Sequence, residues 1–143
     1  MKRVHSLMFL LVLVVALPSC NDSSSGPSTQ SLPTGVLWNL QAFELNDGTT
    51  VDVVVPGEVA RYQVLFREDG RVEIKADCNV CGGTYETRGS ALTIEVRGCT
   101  RAFCGDDSFD NEFKAALDST SRFEIAGEDL LLVYALGRMR FWM

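Results

Sequence analysis

The sequence predicts a mainly β chain of the α+β class, an antiparallel sheet buried on one face with a single short helix. Three observations predict it. Apolar and polar residues alternate with a period of two through several short segments, turn-forming pairs such as Asp47-Gly48, Asp69-Gly70 and Gly89-Ser90 separate those segments, and only one stretch carries apolar residues at helical spacing.

Taken in order, the domain opens with Val36 to Phe43, in which Trp38, Leu40 and then Ala42 fall on one face of a strand. Asn46-Asp47-Gly48 forms a turn, Val51 to Val55 a β-branched strand, and Pro56-Gly57 a second turn. Tyr62, Val64 and Phe66 alternate with Arg61, Gln63 and Arg67. Asp69-Gly70 then closes a hairpin onto Val72, Ile74 and Ala76, whose neighbours Arg71, Glu73, Lys75 and Asp77 face water. Gly82-Gly83-Thr84-Tyr85 begins another strand, and Leu92, Ile94 and Val96 form the next buried row. For the helix, placed at 108–117, Asp106, Asp107 and Ser108 offer capping side chains, with Asp107 and Asp110 at capping-box spacing. Phe109, Phe113, Ala116 and Leu117 make its apolar stripe. Strands at Arg122 to Ile125, Leu130 to Ala135 and Arg138 to Trp142 finish the chain. Leu130 to Tyr134 is apolar on both faces, which predicts a central strand covered on its second side by the helix.

Ahead of this domain stand Met1-Lys2-Arg3 and an unbroken apolar run from Leu7 to Leu17. The run is shorter than the roughly 20 residues that span a bilayer and reads as the core of a signal peptide, placed at 1–19. Leu17, three places before Cys20, with Ser19 between, resembles a bacterial lipobox; the resemblance implies cleavage before Cys20 and acylation of its thiol. Residues 20–34 are rich in Ser, Gly, Pro and Thr and read as a lipidated flexible tether, leaving 35–143 as one domain. The full chain carries 13 bases and 19 acids; loss of Lys2 and Arg3 takes its net charge from -6 to -8. Phosphate-rich nucleic acid and anionic lipid repel such a body, so membrane attachment falls to the acyl chains. His5, the single histidine, leaves with the signal, which removes Ser-His-Asp, Cys-His and His-metal chemistry together.

Four cysteines remain, at Cys78, Cys81, Cys99 and Cys104. Their spacing is open to a zinc ribbon, a Cys-x-x-Cys redox pair at Cys78 and Cys81, or two structural disulfides. Export favours disulfides, because oxidising compartments preserve them. The redox reading lacks the helix N-terminus or nearby cation that lowers a thiol pKa, since Asp77 adjoins the pair. An EF-type calcium loop starting at Asp106 fails too: Asn111 and Leu117 stand where glycine and a bidentate acid are needed. No metal or cofactor is expected. Arg61, Arg67, Arg71, Arg88, Arg97 and Arg101 interleave with acids and read as a solvated face.

Trp38-x-Leu40, Cys78-Asn79 with Gly83-x-Tyr85, Leu92-x-Ile94, Thr100-Arg101-Ala102-Phe103-Cys104, the helix with Phe113 and Leu117, and Phe123-x-Ile125-x-Gly127-x-x-Leu130-x-Leu132 follow one another here in an order that resembles the META domain, the HslJ-like family of exported bacterial envelope and heat-shock proteins. The resemblance implies a curled antiparallel sheet, or small partly open barrel, with one helix packed on it, and brings no known catalytic residues. It also implies that Cys78 pairs with Cys104, and with it Cys81 with Cys99. The expected protein is therefore a monomeric, non-catalytic lipoprotein of the cell envelope, anchored at the outer membrane facing the periplasm. Its role would be stress-related binding of an envelope protein or a small apolar ligand. The alternative is a thiol-disulfide oxidoreductase using Cys78 and Cys81.

Overall fold

A computed structural model describes residues 30–53 and 60–143. The signal segment, Cys20, most of the expected tether, and the end of the 51–55 strand with its Pro56-Gly57 turn lie outside the described residues.

Among the described residues, nine strands and one helix follow in the order β1 (Leu37–Leu45), β2 (Thr50–Asp52), β3 (Tyr62–Phe66), β4 (Arg71–Ala76), β5 (Asn79–Arg88), β6 (Ala91–Arg97), α1 (Asp110–Asp118), β7 (Arg122–Ala126), β8 (Asp129–Tyr134) and β9 (Gly137–Trp142). All pairings are antiparallel, and β1 pairs with β9, so β1 and β3 to β9 close into an eight-stranded barrel. β2 pairs with the C-terminal half of β1, where Phe43 faces Val51. β3 takes the N-terminal half, where Trp38 faces Val64. Closure removes the free edges that an open sheet would expose.

The inward rows are those of the alternation: Tyr62, Val64 and Phe66, then Val72, Ile74 and Ala76, then Leu92 and Ile94, all nearly without exposure. The opening strand departs from it. A register shift between Leu40 and Ala42 in the β1–β9 pairing inserts one extra residue, so Phe43 and not Ala42 continues the inner face begun by Trp38 and Leu40. Ala42 is buried on the outer side, paired in register with Arg140.

The seam between β6 and β7 is thin, a single pair of Ala91 with Arg122 flanked by two backbone bonds. Here α1 enters, placing Phe113, Ala116 and Leu117 into the same core as the barrel interior. Leu130 and Leu132 of β8 lie in that core, whereas Leu131 is buried outside it. The helix therefore does not cover the second face of β8. Leu131 stands in register with Arg140, whose guanidinium is held by Glu44 and Asp129.

The helix starts at Asp110, two residues later than expected, and the Asp106, Asp107, Ser108 cap is not used as such. Phe109 occupies the N-cap position without a side-chain cap; its N–H donates instead to the Tyr62 hydroxyl at 2.8 Å. The Phe109 ring packs against Tyr62 and Phe43, and this aromatic contact decides where the turn begins. Residues 30–34 also depart from the tether reading. Leu32 is buried, and the Gln30 side chain both donates to the Ile125 carbonyl and accepts from its N–H, completing the open edge of β7. Leu32 and Gln30 thus pack with the barrel.

Candidate functional site

The cysteine-bearing segments meet at one end of the barrel. Asp77 and Cys78 form a two-residue turn between Ala76 and Asn79, with Asp77 at φ 58° and its carboxylate ion-paired to Arg61. The turn leaves Cys78 exposed, while Asn79 and Cys81 both face inward along β5. Cys78 and Cys81 therefore point apart. Each is bridged to the loop that follows β6, Cys78 to Cys104 and Cys81 to Cys99, the same pairs that the family resemblance implies. A Cys78–Cys81 redox couple is not formed. Bridges spanning 26 and 18 residues each constrain the unfolded chain by about 3 kcal/mol, less for the second because the loops are nested.

Between the bridges lies a residue to which the sequence reading gave no role. Asn79 is 1% exposed, and its carboxamide organises the whole 99–105 loop. Oδ1 accepts from Ala102 N at 2.8 Å and from Thr100 Oγ1 at 3.0 Å. Nδ2 donates to Ala102 O and to Asp110 Oδ2, both at 3.0 Å, and lies 3.2 Å from Cys104 Sγ. Asp110 in turn accepts from Lys114 at 2.8 Å. That Lys114 bond, with the one from Asn79, holds the Asp110 carboxyl below its ordinary 3.8 against a smaller opposing effect of burial. The arrangement is a clasp tying β5, the loop and the first turn of α1 together. Among the described residues no group of three or more His, Cys, Asp or Glu side chains is placed to hold a metal ion.

On another side of α1 is a groove of about 570 Å³, a volume suited to a small organic molecule. One wall is the helix face Glu112, Ala115, Ala116 and Ser119, which recur three and four residues apart. Phe43, Leu45 and Val51 of the β1–β2 hairpin make the second wall, and Tyr134 to Leu136 at the β8–β9 turn the third. Phe109 joins them, its ring 6.2 Å from that of Phe43, and Tyr134 meets Phe43 edge-on at 6.4 Å. The lining is almost wholly apolar and Leu136 is 68% exposed at its rim. Ser119 spends its hydroxyl on the Ala115 and Ala116 carbonyls.

Sequence periodicity missed this groove because the β1 bulge turns Phe43 inward and because Leu136 sits in a turn, where no alternation applies. An apolar residue between Tyr134-Ala135 and Gly137 was the available signal. Cys20, the expected lipidation site, lies outside the described residues.

The META domain family model matches residues 30–142. No curated protein matches the chain. Among solved structures it is similar to an NMR structure of a protein from Burkholderia xenovorans, at 21% identity and a TM-score of 0.63, covering 76% of this chain and 80% of that one. It is also similar to a DUF4847 family protein from Bacteroides vulgatus, at 14% identity and 0.54, covering 74% and 90%. At these identities the likeness is one of fold.

Proposed function

The chain belongs to the META-domain family, and from that premise we propose that it is a non-catalytic, lipid-anchored binding module of the bacterial cell envelope. Its ligand, a small apolar molecule or the apolar part of an envelope partner, sits in the groove between α1, the β1–β2 hairpin and the β8–β9 turn. The observation that carries the binding role is an apolar groove walled by strands of the barrel, the β1–β2 hairpin and a helix that share one core. Export and anchoring rest on the Leu7 to Leu17 run and on Leu17-Pro18-Ser19-Cys20, and stress association rests on the family resemblance.

Two measurements test this reading. Metabolic labelling with an alkynyl palmitate analogue is expected to mark the chain and to be abolished by Cys20→Ala; a labelled Cys20→Ala protein refutes the anchor. Binding of the neutral fluorophore N-phenylnaphthylamine is expected to be saturable and to be blocked by Ala115→Trp, which fills the groove from an exposed helix position. Absent or unaltered binding refutes the groove.

A further inference from the structure

Residues 30–36 lie across one end of the barrel. The Gln30 side chain bonds both backbone groups of Ile125 on β7, Leu32 is buried in the core, and Gly35 N donates to Phe66 O at the end of β3. β7 and β3 stand four strands apart in either direction around the closed barrel, so this strap crosses its mouth from side to side. The segment leading back to Cys20 therefore joins the domain at this end. Ile125 stands opposite Leu130 and Leu130 opposite Phe141, which places the junction two strand spacings, about 10 Å, from the end of β9. Ten residue steps separate Gln30 from Cys20, and fully extended they reach no further than about 35 Å. The same end carries apolar side chains turned away from the core. Phe141 points inward, so Trp142 points out and is 43% exposed. Leu37, two positions along β1 from Asn39, the register partner of Trp142, is 49% exposed on the same outer face. Leu65 stands opposite Leu37 on β3, and Met143 follows Trp142. The charges that flank the patch are paired, Arg67 with Glu73 and Arg140 with Glu44 and Asp129.

Resting on the lipid anchor proposed above, we infer that this corner of the barrel is a membrane-facing surface, with Trp142 and Leu37 seated among the headgroups of a zwitterionic phospholipid bilayer. An indole joins an apolar ring to one N–H donor, the combination that favours the boundary between headgroups and acyl chains. The patch is too small to hold a protein on a membrane alone. An anchor attached through ten residues at the same end keeps it at high local concentration against the surface, and weak contact then suffices. The acidic body disfavours a strongly anionic surface as the occupant. β1 and β9 run from this corner to the apolar groove, which is walled by Phe43 and Leu45 near the far end of β1 and by Leu136 just before β9. Seating Trp142 on the bilayer therefore turns the groove toward the aqueous side.

The test uses the acylated protein reconstituted into phosphatidylcholine vesicles whose acyl chains carry bromine, a short-range quencher of tryptophan. Trp38 is buried in the core, so Trp142 is the reporter. Emission is expected to fall by up to about half relative to unbrominated vesicles, Trp142 being one of two tryptophans. Trp142→Phe is expected to abolish the fall, and Leu37→Ser to reduce it at unchanged Tm. Added phosphatidylglycerol at low salt is expected to weaken it. Unquenched Trp142 in an acylated chain overturns this inference while the anchor stands, as does quenching that persists in Trp142→Phe. A Cys20→Ala protein that sediments as a dimer and becomes monomeric with Leu37→Ser assigns the patch to a second copy and overturns it too. A chain that the palmitate analogue does not label overturns the anchor itself, and this inference with it.

Discussion

Replacing Asn79 by alanine tests whether the 99–105 loop is held by its bridges alone or by the carboxamide between them. The side chain forms four good hydrogen bonds, two accepted at 2.8 and 3.0 Å and two donated at 3.0 Å, one of them to a carboxylate. At about 0.5–1.5 kcal/mol net per bond, with water able to reach the exposed Thr100 and Ala102 once the amide is gone, the loss comes to about 2–4 kcal/mol. For a domain of this size that is a fall in Tm of about 8–16 °C. Circular dichroism melts, run with both disulfides verified intact by mass, measure it. Asn79→Asp sharpens the result, because it places a second carboxylate against Asp110. Its deficit relative to the parent is expected to be larger at pH 7 than at pH 3.5, where a shared proton relieves the repulsion. An Asn79→Ala protein that melts within about 3 °C of the parent would show that the bridges suffice and that the clasp contributes nothing.

Three further outcomes follow from the geometry. A Cβ on Gly83 would lie 2.3 Å from the Glu95 carbonyl oxygen on β6, while one on Gly82 meets nothing within 4 Å. Gly83→Ala is therefore expected to cost several kcal/mol in urea unfolding and Gly82→Ala less than about 1, and equal effects would refute the packing argument. Cys78 is exposed whereas Cys81 is 2% exposed and lies in the core, so graded dithiothreitol followed by alkylation is expected to label Cys78 and Cys104 before Cys81 and Cys99. Simultaneous labelling would contradict that order. Asp77 experiences burial, which raises its pKa, but hydrogen bonds from Arg61 and Ser108 and the charges of Arg61 and Lys75 outweigh it and hold the carboxyl below 3.8; Asp110 is lowered through Lys114. Carboxyls lowered in the folded state stabilise it above their ordinary values and lose that contribution as pH falls through the folded ones. Tm is therefore expected to be flat from pH 7 to about 5 and to fall below about 4, with Lys114→Met flattening the acid limb. An unchanged acid limb in that variant would remove Asp110 from the account.

Residue alternation was enough to place the strands and most of the core. A half-buried strand advertises its inner face by simple alternation, and Tyr62-Val64-Phe66 and Val72-Ile74-Ala76 could face no other way without burying charge. The helix stripe at Phe113, Ala116 and Leu117 was legible for the same reason. The meeting of the four cysteines in two bridges that tie β5 and its preceding turn to the 98–105 loop was not legible from their spacing, and the pairing came from the family resemblance.

Tertiary structure decided what local pattern does not encode. Closure of β1 onto β9 depends on curvature summed over eight strands, and the bulge that turns Phe43 inward appears only when β1 must match β9. Phe109 replaced a polar helix cap because Tyr62, 47 residues away, offered its hydroxyl, and Gln30 became part of the barrel because β7 had an unpaired edge at Ile125. The groove exists for a like reason. Its walls come from 43–51, 109–119 and 134–136, and segments so far apart in sequence share a surface only after the chain has closed.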